Sequence, residues 1–400
     1  MNELTLADLC ELVVDCKNRT PPEAAPGERT VGFAIGTPHI INGRIRLSEA
    51  KLVSQETFDT WTARAIPRAG DIILTREAPV GRVGRIEEGM QICLGQRTML
   101  LRPNMLRSDS RFLHYFLLSP AVQDLLHAQA SGSTVAHLRV AQVRDLKLPS
   151  VPNVDEQRRI GAALGVLDDK IAVNERIAVT ALELSDSLFA QAAISLDFSE
   201  ETFGSVATVA GGGTPSTKVD DYWGGVFSWT TPSDVTALLS PYLFETSRSI
   251  TEHGLENCAS QLYPVQSIFM TSRATIGAFA LPQIPAAVNQ GFIVVIPSNE
   301  DMRWWLLHEM RSRVDEMISL ANGSTFLELS RKNFKAMQIR LPEAPEIAAF
   351  AQKVAPLHAA AITSARENRN LSTLRDILLS QLMSGHLRVK DAEKIVEDHT

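Results

Sequence analysis

The chain has 400 residues, 44% hydrophobic and 21% charged, more than one compact core accommodates, which predicts two or three domains. Its formal charge of −7 argues against a uniformly basic nucleic-acid surface, and no stretch approaches the roughly 18 uncharged apolar residues of a membrane span. The N-terminus, MNELTLADLCELVV, has no basic region ahead of its apolar residues and does not read as a secretory signal. Cys10, Cys16, Cys93 and Cys258 are scattered with no C-x-x-C pair, the pattern of reduced thiols in a cytoplasmic protein without a metal site.

Residues 1–152 form a first globular stretch, slightly basic with 18 Lys+Arg against 16 Asp+Glu. Arginine greatly outnumbers lysine there, and its planar fork suits guanine edges and phosphates. Asp71 to Thr75 and Thr98 to Arg102 read as short buried strands, with a glycine turn, Gly81 to Gly84, between them. Helical spacing covers Arg111 to Ala130, and a Gly-Ser-Thr loop follows at Gly132. Residues 153–195 hold a proline-free run in which Ile160, Leu164, Leu167 and Ile171 lie on one side of a helix. That stripe continues through Asn174, Ala178, Ala181 and Leu188, and Asp155 and Glu156 occupy the first turn, where negative charge suits the helix dipole. At about 1.5 Å per residue the run makes a rod of roughly 60 Å. So narrow a stripe on so long a helix calls for one partner helix.

Residues 196–342 form a second globular stretch, acidic with 10 Lys+Arg against 15 Asp+Glu. Ser267 to Thr271 and Phe292 to Ile296 read as its strands, and Met302 to Leu320 as helical. Residues 343–385 supply the partner helix, Glu346 to Ser384, striped by Ile347, Val354, Leu357, Leu371, Leu374, Leu378 and Leu382. Pro356 predicts a kink within it, Gly385 a stop, and residues 386–400 a tail. An antiparallel pair is expected, because a whole domain of sequence separates the two helices.

The chain repeats itself. TREAPVG at Thr75 returns as TSRATIG at Thr271, Gly95-Gln96 as Asn289-Gln290, GSTVAHL at Gly132 as GSTFLEL at Gly323, LKLP ending at Pro149 as IRLP ending at Pro342, and RTPP at Arg19 as GTPS at Gly213. Matches in one order at nearly constant offset mark two copies of a unit of about 190 residues, each a globular domain followed by a helix. Strands and helices mix without a βαβ rhythm, so the expected class is α+β. The expected architecture is two duplicated domains separated by a pair of long antiparallel coiled-coil helices, with pseudo-twofold symmetry.

Two divergent globular halves, each ending in an LP-x-x-P step into a long helix, together with D-E-Q-x-x-I at Asp155, GTP at Gly213, W-T-T-P-S-D at Trp229 and the two Gly-Ser-Thr loops, resemble the specificity subunit of type I restriction-modification systems. The resemblance covers nearly the whole chain and rests on the duplicated order rather than on any one motif. It implies that each half is a target recognition domain reading one part of a split double-stranded DNA sequence. It further implies that the helices dock two methyltransferase subunits of the adenine-N6 type, and that restriction/translocase subunits complete the complex. S-adenosylmethionine, ATP and Mg would then belong to those partners, with no cofactor on this chain.

The chain lacks N-P-P-[FY], H-E-x-x-H and the G-K-[ST] that GGGTPSTK at Gly211 would need as a phosphate loop. It is therefore expected to catalyse nothing itself. A stand-alone DNA methyltransferase or nuclease, and a coiled-coil protein adaptor, are the alternatives. Candidate DNA contacts begin with Arg76, Arg82 and Arg85 around the glycine turn, with Thr75 and Arg97 beside them, and with Ser272 and Arg273 in the second unit, where Arg273 aligns with Glu77 rather than Arg76. Gln96 and Gln290 could pair with adenine or cap a turn. Ser133, Thr134 and His137, and Ser324 and Thr325, could reach phosphates or close each domain onto its helix. Thr214 and Trp229 complete the set. For subunit docking the candidates are Asp155, Glu156 and Gln157, with Asn174 and Asn368 either meeting in the helix seam to fix its register or facing solvent.

Overall fold

The computed structural model describes residues 4–17, 19–130, 136–323 and 327–400. The chain divides into two compact units: Met1–Lys170 with Leu371–Thr400, and Ile171–Asn370. Each unit is α+β and takes a share of both long helices.

In unit 1 the strands of the two larger sheets are β1 (Cys10–Asp15), β2 (Thr30–Ile35), β3 (Lys51–Ser54), β4 (Ile72–Arg76), β5 (Val80–Arg85), β6 (Ile92–Leu94) and β7 (Thr98–Pro103). An antiparallel sheet runs β1-β7-β4-β5, and a smaller one runs β3-β2-β6 with β2 and β6 parallel. In unit 2 they are β8 (Ala207–Gly211), β9 (Trp223–Thr230), β10 (Tyr242–Leu243), β11 (Arg248–Ile250), β12 (Ile268–Arg273), β13 (Thr275–Pro282), β14 (Ala286–Val288) and β15 (Phe292–Pro297). Here the sheets run β8-β15-β12-β13-β10 and β11-β9-β14, again with a parallel pair, β9 and β14. Among the described residues two features break the correspondence: β10, added at the edge in unit 2, and a short antiparallel pairing of Ile40–Ile41 with Arg44–Ile45 in unit 1. The register repeats as well: Ile72 faces Leu101 and Leu74 faces Met99, as Ile268 faces Val295 and Met270 faces Ile293. Central β4 and β12 are buried on both faces, which is why they read as unbroken apolar runs.

The helical stretch after β7 is two helices, α1 (Ser110–Leu118) and α2 (Pro120–Gln129), because Ser119 is extended and Pro120 opens the second. The helix α3 (Val140–Arg144) then leads to the first long helix, α4 (Val154–Ala193). Unit 2 follows the same order with α5 (Glu300–Ser312), α6 (Val314–Ser319), α7 (Arg331–Ala336) and the second long helix, α8 (Ala344–Met383). The break between α5 and α6 falls at Arg313. Helical structure continues through Pro356, whose ring is exposed, so the carbonyl it leaves unpaired can be hydrated and no interruption follows.

The helices run antiparallel in unit 2, where Asn174 bonds Glu367 (2.7 Å) and Asn368 reaches back to the Ile171 carbonyl (3.1 Å). The buried face of α4 is Ile160, Leu164, Leu167, Ile171, Asn174, Ala178, Ala181, Ser185 and Phe189. Leu188, expected on that face, is only partly buried beside Phe189. Gly385, at φ +73°, ends α8. Beyond it lies a helix rather than a tail: α9 (Val389–Glu397) buries Val389, Ala392 and Val396 and ties to α4 through a bidentate Arg159–Glu393 pair (2.9 and 2.6 Å).

Two glycines allow a close approach that their helical setting disguised. A Cβ on Gly161 would sit 2.8 Å from the Phe112 amide nitrogen, and one on Gly165 would lie 2.1 Å from the Arg111 guanidinium. Arg111 thus crosses the bare surface of α4 to reach Asp169 (3.0 Å).

Unit 1 buries an ion pair at the start of β4. Arg102 grips Asp71 through two bonds of 2.8 and 2.7 Å, both side chains nearly inaccessible. At the matching places unit 2 has Ser267 and Ile296. Removing one member of a buried pair strands the other's charge. Asp71→Ala should therefore lower stability by about 3–5 kcal/mol, whereas Asp71→Ser with Arg102→Ile, the unit 2 solution, should recover most of the loss. Denaturant midpoints of the three proteins read this directly.

Candidate nucleic-acid interface

A buried threonine shapes the β4–β5 turn. The Thr75 hydroxyl donates to the Pro79 carbonyl (2.6 Å) and accepts from the Arg82 amide (2.9 Å). Between them Ala78 lies at φ +50°, with Gly81 at +88°. Unit 2 repeats the device: Thr271 accepts from the Ala278 amide (3.0 Å), Ala274 lies at φ +58° and Gly277 at +88°. A non-glycine residue held left-handed costs of order 1–3 kcal/mol and persists only where its surroundings over-determine it.

Backbone bonds then join this turn to two segments distant in sequence. The Arg76 amide donates to the Arg97 carbonyl (2.8 Å), and the Arg76 carbonyl accepts from the Leu138 amide (2.9 Å). In unit 2 Ser272 makes the same two bonds, to Gly291 (2.7 Å) and Leu329 (2.9 Å). Each unit thus builds a rim from the turn, the segment before β7 or β15, and the strip after the Gly-Ser-Thr loop. The rim gathers Arg76, Glu77, Gln96, Arg97 and His137 in unit 1, and Arg273, Gln290 and Glu328 in unit 2.

The side chains on this common frame differ. Glu77 pairs with Arg97 (3.6 Å), and its counterpart Arg273 pairs with Glu328 (2.8 Å), so the charge at this position is reversed. Arg76 donates to the Leu138 carbonyl (3.4 Å), and its buried Nε has no partner among the described residues. Arg82 donates to the carbonyls of Thr37 and Ile40 (3.0 and 3.3 Å), and Arg85 pairs with Glu87 (2.6 Å). In unit 2 the exposed side chains of Thr214 and Gln290 bond each other (2.5 Å).

Three expected contacts are corrected. Thr75 and Ser272 are buried and shape the rim from beneath. Trp229 is buried too, donating from Nε1 to the Gly213 carbonyl (3.0 Å) and stacking edge-on to Trp223, which Arg248 covers at 3.6 Å. It supports the loop carrying Thr214 from beneath. Ser133, Thr134, Ser324 and Thr325 lie outside the described residues.

Among the docking candidates, Asp155 and Glu156 are exposed. Gln157 is not: its amide is used up on the Asp109 amide (3.0 Å) and the carbonyls of Arg107 and Pro152 (3.1 and 2.9 Å). Phe350, its counterpart, packs edge-on to Phe189 and Trp305. At this one position the difference between the two helix starts is therefore one of internal packing. Asn174 and Asn368 do not meet; each finds a nearer acceptor, and for Asn174 the Glu367 carboxylate is the stronger one. Further along α4, burial pushes the Asp168 carboxyl up, but Arg375, the Tyr115 hydroxyl (2.5 Å) and Arg44 outweigh it and hold it below the usual carboxylate range.

Sequence reading missed one feature of α4. Val166, Val173, Ile177 and Leu184 are between 42% and 48% exposed. Their steps of seven, four and seven place them on one outward face. Among the described residues no helix is long and apolar enough to cross a membrane.

A family profile described as type I restriction modification DNA specificity domain matches residues 1–181 and 196–364. The type I restriction enzyme MjaIX specificity subunit of Methanocaldococcus jannaschii is 34% identical over 155 residues, 38% of this chain and 36% of that one. The HindI specificity subunit of Haemophilus influenzae is 25% identical over 179 residues, 44% of this chain and 39% of that one. These alignments span well under half of either relative. The crystal structure of a type I restriction-modification S subunit from M. genitalium superposes with a TM-score of 0.54 at 17% identity, covering 95% of both chains, and so shares the fold.

The seam bond between Asn174 and Glu367 should be worth about 1.5–3 kcal/mol, as expected for a hydrogen bond to a charged group. Asn174→Leu should destabilise unit 2 by leaving that half-buried carboxylate without its amide. Adding Glu367→Leu should restore stability, and a double-mutant cycle measured by denaturation gives the coupling.

Proposed function

Because the chain belongs to the type I restriction-modification DNA specificity family, we propose that it is the sequence-reading subunit of such a system. Each unit reads one half of a bipartite double-stranded target. One observation carries this reading: two rims with the same backbone frame present opposite charge at Glu77 and Arg273. Reading two different half-sites requires a fixed frame with variable side chains, because base edges are distinguished by the donors and acceptors offered to them. Arginines at the rim suit guanine, and Gln96 and Gln290 suit adenine.

Catalysis belongs in this reading to partners: methyltransferase subunits carrying S-adenosylmethionine, and restriction/translocase subunits using ATP and Mg. The outward apolar face of α4 supports their docking, since an apolar row left about half exposed by the described residues suits a partner helix.

Exchanging residues 1–150 for the matching domain of a relative should change one half of the methylated motif and leave the other intact. Methylome sequencing decides it, and both halves changing together would sink the reading. Val173→Glu with Ile177→Glu should weaken co-purification of the methyltransferase subunit at least tenfold while leaving the thermal unfolding of the free chain within a few degrees.

A further inference from the structure

Residues 196–342 are acidic overall, with ten Lys and Arg against fifteen Asp and Glu, so a cation left without a carboxylate there is informative. Arg273, Arg303, Arg311, Arg313 and Arg340 are neutralised by Glu328, Glu300, Asp186, Glu316 and Glu309 respectively. Arg248 lies over Trp223. The remaining four are Lys218, Arg331, Lys332 and Lys335, none with an ion-pair partner among the described residues.

Three of these four sit on α7. Phe334 anchors that helix, stacked on Phe203 with ring centroids 4.6 Å apart, while Arg331, Lys332 and Lys335 are exposed. With Ala336 they line an open groove of about 450 Å³. Arg331 lies across Gly211, where a Cβ would approach its Cδ, Cζ and Nε to 3.0–3.1 Å. The groove therefore adjoins Gly211 at the end of β8.

Unit 1 has the same element. The bridge between Thr5 and Lys147 matches that between Thr202 and Gln338, and the Leu6-to-Leu146 backbone bond (3.0 Å) matches Phe203-to-Met337 (3.1 Å). These pairings put α3 in the place of α7 and Arg144 in the place of Lys335. Arg144 is exposed and, like Arg139 at the N-cap of α3, has no carboxylate partner among the described residues.

The rims reverse their charge from one unit to the other, yet here both units hold a free cation. That is the behaviour of a contact that needs negative charge but no particular base. We propose that α3 and α7 are phosphate clamps: Arg144 and Lys335 make the equivalent contacts to the DNA backbone, reinforced by Arg139 in unit 1 and by Arg331 and Lys332 in unit 2. They position each unit on the duplex, and the rims read it. The inference rests on the DNA-reading function.

The test uses the full chain assembled with its methyltransferase subunits, a duplex carrying the methylated motif and a scrambled one, and anisotropy titrations across a salt series. Lys332→Gln with Lys335→Gln, and separately Arg144→Gln, should weaken binding to both duplexes by similar factors. Each should lower the slope of log K against log salt by about 0.9 per lost contact and leave the methylated motif unchanged, while Lys335→Arg should keep wild-type slope. An unchanged slope, or a loss confined to the cognate duplex, overturns the clamp while the DNA-reading function stands. Retained DNA affinity with loss of a partner subunit would make α7 a protein-docking surface and also overturns it. Wild-type protein that binds neither duplex would overturn both readings.

Discussion

Neither 40-residue helix has a face wide enough to fold alone, and each depends on the other for cover. That mutual burial reaches into the globular parts. In unit 2 Phe189 of α4 and Phe350 of α8 both pack on Trp305 of α5, with ring centroids 4.9 and 5.4 Å away, so the helix seam and the domain core are one cluster. Unit 1 includes Leu371–Thr400, and so it is completed by a segment that follows the whole of unit 2 in the chain.

Polar groups fix how the helices meet the domains. In unit 1 Asp168 joins α4 to Arg375 of α8 and to Tyr115 of α1. In unit 2 a buried chain does the same work. The Asp186 carboxylate accepts a hydrogen bond from His308 Nδ1–H (2.7 Å), which leaves His308 Nε2 as acceptor for His358 Nε2–H (3.0 Å) and His358 Nδ1 as acceptor for the Tyr242 hydroxyl (2.9 Å). This directional chain needs both imidazoles neutral. Burial favours that form, pushing His308 down and His358 down to about 3. Two different chemistries thus secure the two junctions.

Periodicity and repetition made much of this legible. The two long helices, the paired central strands and the duplication follow from spacing alone, because burial on a known period leaves a mark on sequence. The smaller sheets were not legible, since β3, β6, β11 and β14 have only three or four residues each and carry no period. Polar side chains misled for another reason. Thr75, Ser272, Trp229 and Gln157 carry the groups that bind ligands, but the same groups can serve the protein's own backbone, and only the fold tells which.

The rims show why one frame tolerates two sets of side chains. What holds Arg76 and Ser272 in place is the amide and the carbonyl of each, bonded to neighbouring segments, and these exist whatever the side chain. The threonine hydroxyl beneath closes the turn onto backbone groups as well. Specificity can therefore change by replacing exposed residues, without disturbing the bonds that fix their positions. Inward-facing residues lack that freedom: the Asp71–Arg102 pair of unit 1 gives way in unit 2 to Ser267 and Ile296, at both positions together. A buried charge requires its partner, and a rim charge needs only solvent or a ligand.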